Sequence, residues 1–382
     1  MVKEENVSIT SWRGIACILV MLHHFFSPSV LWTGIDIHSS TGIFSKSYLW
    51  VDFFFMISGF IFTYVYEDQF ITRQSRVEYF KFIAARAARL YPLHLTIIAA
   101  FILLELYKLA TAQDAFSGAF SFKYLLMNAT FTQAFSFNIF LAPWNGPSWS
   151  ICAEWWSYLC LPFIIRFYVS VANKGNLKCF LTYATSAIII FSYLYFICAY
   201  YPNGNLDVAG IPGTLRCFLL VCLGVMTFKV APFLPEKLKL ATLPLGIIWV
   251  SLSLHFEVYD LIIFPGFLAI LLGSNSKGLI NKVLSQPLFI KIGNLSFSLY
   301  MVHFWVLYLM HNLTKDSGVT LFNGQTVAEI SSSLLIYFGI SIPLAVLLYN
   351  RIEVPFRSKV KKQLNKIVSK KFARTQSSRF AT

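Results

Sequence analysis

Charge is what this 382-residue sequence has least of: Asp, Glu, Lys and Arg together make up 13% of it, against about 25% in an ordinary soluble domain. Hydrophobic residues take 57%, and a soluble globular fold does not fit that balance. Metal-binding cysteine patterns are also missing. The seven cysteines, Cys17, Cys152, Cys160, Cys179, Cys198, Cys217 and Cys222, include no C-x-x-C pair and no Cys/His ligand spacing, so they read as small buried hydrophobes and no metal is expected. There is no internal repeat, and so no pointer to an inverted-repeat transporter. No small-residue cleavage site closely follows the first apolar run, whose preceding residues are polar and acidic, so that run is expected to remain as an anchor.

Long apolar runs are plentiful. Stretches of about 20 residues, long enough to cross roughly 30 Å of hydrocarbon, recur near 12–31, 49–67, 89–108, 149–168, 179–200, 212–229, 240–256, 260–273, 292–312 and 328–350. The segment 120–142 is apolar too, but Lys123, Asn128, Gln133 and Asn138 interrupt it. It is expected to be interfacial or re-entrant and packed on protein, because lipid does not tolerate exposed irregular backbone. Alternating the ten spans from an inside start places most of the 31 Lys and Arg in inside loops, as the positive-inside rule requires. The expectation is an all-α polytopic membrane protein, a bundle of about ten transmembrane helices with both termini cytoplasmic. It sits in the cell membrane, a bacterial inner or plasma membrane, with a transmembrane domain over 1–350 and a basic cytoplasmic tail over 351–382. That tail alternates Lys/Arg with apolar residues and reads as an amphipathic helix on anionic lipids. The net charge of +14 is then topology and lipid contact, not nucleic-acid binding.

Ionisable groups inside spans are expensive, so they mark candidate functional sites. Arg13 and His24 lie eleven residues apart in the first span, three turns plus about 20°, hence on one helix face about 16 Å apart; His23 points elsewhere. This geometry puts Arg13 and His24 in a common cleft. Arg86 and Arg89 share a face at i, i+3 with alanines between them, and two adjacent guanidinium forks suit a phosphate, although positive-inside anchoring explains such a pair equally well. Glu154 lies among apolar neighbours a turn inside the fourth span and needs a partner: Arg13, Arg216 or a histidine. His303, mid-span, and Asp52, opening the second span, each read equally as structural or functional. Trp149 suits a membrane interface.

These pieces resemble the integral-membrane acyltransferase-3 family, which O-acylates carbohydrates and some small molecules. The resemblance rests on Arg13-Gly14-Ile15-Ala16 with ten residues between Arg13 and His24, Val51 to Phe60, Arg86-x-x-Arg89 followed by Tyr91-Pro92, Trp149-Ser150 with Glu154 and Tyr158, and Ile292 to His303. They run in the family's order and cover most of the chain. The resemblance implies about ten spans, an acyl-CoA donor reached from the cytoplasm, Arg86 and Arg89 near the CoA phosphates, and His24 at the catalytic centre. Larger members carry a C-terminal hydrolase-like domain; the expectation here is the stand-alone form.

The expected chemistry follows. A sugar hydroxyl is a poor nucleophile at neutral pH, and neutral histidine is the usual base. His24 serves as that base or as an acyl relay, with Arg13 or Glu154 setting its charge and tautomer. Asp52, Trp149 and His303 are the candidate contacts for a carbohydrate acceptor, a surface polysaccharide, oligosaccharide or lipid-linked sugar, and acetyl-CoA is the default donor. The competing reading is a proton-coupled transporter or flippase of a glycan or lipid, since intramembrane Arg, His and Glu also build proton relays.

Overall fold

The computed structural model describes residues 7–26, 41–72, 75–137, 144–173, 175–314, 326–364 and 366. Among them every regular element is helical: α1 (Val7–Phe26), α2 (Trp50–Thr72), α3 (Arg76–Ala110), α4 (Phe122–Ala129), α5 (Ser148–Ala172), α6 (Asn176–Tyr200), α7 (Gly210–Val230), α8 (Glu236–His255), α9 (Phe264–Gly273), α10 (Leu279–Leu284), α11 (Pro287–Thr314) and α12 (Val327–Leu348). Nine of the described helices are long and apolar enough to cross a membrane. Residues 27–31 of the first expected span, Asn138 to 142 of the interrupted segment, and the tail from 367 lie outside the described residues.

The expected span at 260–273 is shorter than its neighbours. A 3-10 turn, Asp260–Ile263, leads into α9, only ten residues long, which at 1.5 Å per residue covers about 15 Å. It still returns the chain to the face from which α8 set out. At one end Trp249 Nε1 donates to the Ile262 carbonyl (2.6 Å); at the other the Lys277 backbone N–H donates to the Glu236 carboxylate (3.0 Å), at the first residue of α8. The segment from 120 does not cross over its described part. Two 3-10 turns flank the eight-residue α4, and side chains from the long helices meet its backbone. His94 Nε2 donates to the Asn128 carbonyl (2.9 Å) and Trp156 Nε1 to the Phe131 carbonyl (2.8 Å), which is how irregular backbone is kept satisfied away from water.

Contacts between helix ends sort them into two faces. On one face Ser11 at the start of α1 donates to the Leu284 carbonyl of α10 (2.6 Å), Lys229 ending α7 pairs with Glu67 of α2 (2.8 Å), and Arg166 of α5 donates to the Phe70 carbonyl (3.0 Å). On the other, buried Glu105 receives Lys108 (2.9 Å) and Tyr308 (3.0 Å), while buried Asp260 receives Lys46 (2.6 Å), Tyr48 (2.7 Å) and the Leu206 N–H (2.7 Å). The first face also carries Arg76 and Lys81 at the start of α3, Lys237 and Lys239 at the start of α8, and Lys277, Lys282 and Lys291 around the start of α11, which makes it the cytoplasmic one by the positive-inside rule.

Two helix pairs are drawn together by glycines, of which Gly59 and Gly293 occupy motif positions. A Cβ on Gly59 of α2 would lie 2.0 Å from the Val221 carbonyl oxygen of α7, and one on Gly224 of α7 would lie 2.0 Å from the Met56 carbonyl oxygen of α2. Between α1 and α11 the same holds for Gly293, whose Cβ would lie 2.0 Å from the Thr10 carbonyl oxygen. Membrane helices lack a hydrophobic drive to associate, so close backbone approach at small residues does much of the packing. α12 begins at a capping box, Thr326 with Glu329, continues beyond 350 through a π-helical turn, Tyr349–Glu353, and stays helical to Leu364. Five cysteines are buried and all seven are free; Cys160 is exposed and Cys179 half-buried.

Candidate active site

A cavity of about 100 Å³ opens between α1, α2, α3, α5 and α11. That is small beside the roughly 300–1,000 Å³ of sites that enclose a whole drug-sized ligand. Its walls are mostly aromatic and aliphatic, but Arg13, Ser58, Arg89, Glu154, Tyr158 and Tyr300 also face it. Arg13 feels the charges of Arg89 and Glu154. Glu154 accepts a hydrogen bond from Ser58 Oγ, and the Tyr158 hydroxyl is its neighbour one turn along α5. Its partners are thus hydroxyls, with Arg13 across the same cavity. Tyr300 closes one end: its hydroxyl donates to the Pro147 carbonyl (3.0 Å) and bonds Ser150 (2.8 Å), pinning α11 to the start of α5.

His24 does not line this cavity. The rise along α1 puts it about 16 Å from Arg13, in a second cluster beyond Tyr300. The His24 ring meets His303 edge-on at 5.1 Å between centroids, His23 at 5.2 Å and Phe304 at 5.8 Å; His303 in turn lies 5.5 Å from Tyr300. Arg13 and Glu154, expected to tune His24, therefore belong to the cavity, and the ring's neighbours are other aromatics. Its tautomer is set by its own helix. Nδ1 lies 2.9 Å from the Val20 carbonyl, which can only accept, so Nδ1 carries the hydrogen and Nε2 is the free lone pair of the neutral ring. His303 repeats the arrangement, with Nδ1 on the Tyr300 carbonyl (2.6 Å) and a buried Nε2 without a partner. His23 bonds the Phe44 carbonyl (2.9 Å) and packs on Tyr48, which Asp260 holds.

Asp52 and Trp149 come together, but around a cation. Arg216 Nε lies 3.1 Å from Asp52 Oδ1, both side chains at most 3% exposed, and the Arg216 guanidinium sits 5.4 Å from the Trp149 ring. The contact is an ion pair without a donor aligned on either carboxylate oxygen. Arg216, considered from sequence as a partner for Glu154, belongs to Asp52.

At the cytoplasmic side, the Arg86 and Arg89 guanidiniums lie over aromatic rings. Arg86 lies 4.8 Å from Phe62 and 5.8 Å from Phe82, Arg89 6.0 Å from Phe297. A cation over a ring is attracted by its face and can still donate N–H groups to an oxyanion; the buried Arg86 Nε has no hydrogen-bond partner. Ser58, Tyr158 and Tyr300 were visible inside the quoted motifs, yet nothing in one sequence says that they converge on Glu154 or on the histidines.

Residues 6–350 match the model of a protein family described as an acyltransferase domain, acyltransferase 3. No curated protein matches the chain, and no solved structure does. The family match takes in both clusters and the arginine pair, and the chain belongs to the acyltransferase-3 family of membrane acyltransferases.

Proposed function

We propose that this acyltransferase moves an acyl group, acetyl first among the candidates, from cytoplasmic acyl-CoA to a hydroxyl of a cell-surface polysaccharide or lipid-linked sugar. The observation that carries the reading is the order of groups across the bundle. Arg86 and Arg89 lie at the cytoplasmic side, the cavity with Arg89, Arg13 and Glu154 in its wall follows, and Tyr300 then adjoins His303 and, through it, His24. The donor's phosphates rest on the arginine pair. Its extended arm threads the cavity, where Arg13, Ser58 and Tyr158 offer partners for amide groups, and delivers the thioester toward the histidines. The cavity suits an acyl arm and not a nucleotide.

His24 Nε2 then takes the proton of the acceptor hydroxyl while the alcohol oxygen attacks the thioester carbon. The tetrahedral adduct collapses, the carbon–sulfur bond breaks, and the departing thiolate recovers the proton from the imidazolium. His303 supplies a second neutral imidazole beside the reacting groups. The acceptor approaches from the opposite face, past His23, Tyr48 and Trp149, while Asp52, held by Arg216, orients that wall.

Purified protein given radiolabelled acetyl-CoA and a lipid-linked sugar or envelope glycan transfers label to the acceptor. His24→Ala abolishes transfer and leaves CoA binding intact, whereas Arg86→Ala/Arg89→Ala raises the KM for the donor. Full label transfer by a folded His24→Ala protein overturns the mechanism, and absence of transfer from any acyl-CoA overturns the donor.

A further inference from the structure

The π-helical turn Tyr349–Glu353 interrupts an otherwise regular helix at the cytoplasmic side, packed against α3 and the first half of α11. Such turns are rare and occur mostly at functional sites. Its last residue, Glu353, is 1% exposed. One oxygen accepts from Ser298 Oγ of α11 (2.9 Å), and the other pairs with Arg357 Nη1 one turn further on (3.3 Å). Arg357 is thereby held by a buried anchor while its own side chain stays 42% exposed.

The π-helical turn packs on α3, the helix that carries Arg86 and Arg89, and the charges of Arg89, Glu353 and Arg86 act on Arg357. Three guanidiniums thus lie at this side of the bundle, and the Glu353 carboxylate touches only one of them, at a single nitrogen of Arg357. Left without an anion, such a cluster repels itself. It is a poor device for stability and a good one for a multiply charged ligand.

We infer that Arg357 is a third phosphate-binding residue, which with Arg86 and Arg89 cradles the phosphate groups of the acyl-CoA donor, and that Glu353 and Ser298 position it. The inference rests on the donor reading above and adds to it a residue from the segment that sequence alone assigns to lipid contact. A phospholipid headgroup offers the same phosphate chemistry at this face, so the test separates the two sources.

The test is CoA binding by calorimetry to the full chain in nanodiscs of zwitterionic lipid, at two salt concentrations. Arg357→Ala weakens binding about tenfold, equivalent to about 1.4 kcal/mol, and makes the salt dependence shallower, which a purely structural defect does not do. Arg357→Lys retains part of the affinity. Arg351→Ala, removing an exposed arginine of the same turn, binds like the unaltered protein. Should Arg357→Ala fail to fold, Arg357→Gln is measured in its place. Unchanged CoA affinity in Arg357→Ala, alongside a loss in Arg86→Ala/Arg89→Ala, overturns the third arginine and leaves the donor reading standing. An effect confined to nanodiscs containing anionic lipid assigns Arg357 to a headgroup and also overturns it. If the unaltered protein does not bind CoA, both fall together.

Discussion

Gly293→Ala is the sharpest perturbation of the proposed mechanism, because it adds one methyl group far from any reacting atom. The new Cβ would lie 2.0 Å from the Thr10 carbonyl oxygen and 2.6 Å from its carbon. Both are backbone atoms, so no rotamer change relieves the clash, and α1 and α11 must separate by about 1 Å or more before the contact becomes tolerable. Overpacking of this kind costs about 1–3 kcal/mol, which a bundle of this size survives. The consequence for catalysis is larger. α1 carries Arg13 and His24, α11 carries Tyr300 and His303, and a misplacement of about 1 Å between reacting groups can cost about a hundredfold in rate. The assay is label transfer from acetyl-CoA together with thermal unfolding of the purified protein, with Gly339→Ala as control, since a Cβ there meets nothing within 4 Å. The expected outcome is a modest fall in Tm, a kcat lower by about a hundredfold, and unchanged CoA binding. A Gly293→Ala protein with normal kcat and normal Tm refutes the idea that this contact positions the site.

Two further predictions concern buried charge. Arg216→Ala leaves the Asp52 carboxylate buried and unpaired and is expected to destabilise the protein by about 3–5 kcal/mol; Asp52→Leu/Arg216→Met recovers most of the loss, and equal destabilisation by single and double variants in thermal unfolding contradicts the pairing. Glu105→Gln removes a carboxylate that accepts from Lys108, Tyr308 and the Phe116 N–H, at an expected cost of about 1–3 kcal/mol. It lies sixteen residues beyond Arg89 on α3, about 24 Å along the axis, so transfer kinetics measured well below Tm stay normal.

Much of the architecture was legible because the bilayer imposes it locally. Most apolar runs became helices within about five residues of their expected positions, but α3 already starts at Arg76 and the last helical run continues to Leu364, and α9 is short, with turns on either side completing its path. The interrupted segment near 120–137 was recognisable by its polar residues, which the structure uses to hold irregular backbone against α3 and α5. The site was legible in parts. Arg13, Glu154 and Arg89 share a cavity, while His24, about 16 Å further along the same helix face, lies in the histidine cluster, a separation that a common helix face does not reveal. Asp52 and Trp149 are neighbours, with Arg216 between them, an arrangement no spacing along the chain encodes.

The sequence by itself determined which segments cross, which face is basic and which residues are chemically out of place, since each of these follows from the length, hydropathy and charge of a continuous stretch. Only the tertiary structure decided who meets whom: Glu154 with Ser58, Asp52 with Arg216, His24 with His303, Glu353 with Ser298. Those meetings depend on how far one helix is rotated and shifted against another, and that is set by contacts such as Gly293 on Thr10 and Gly59 on Val221, between residues far apart in the chain.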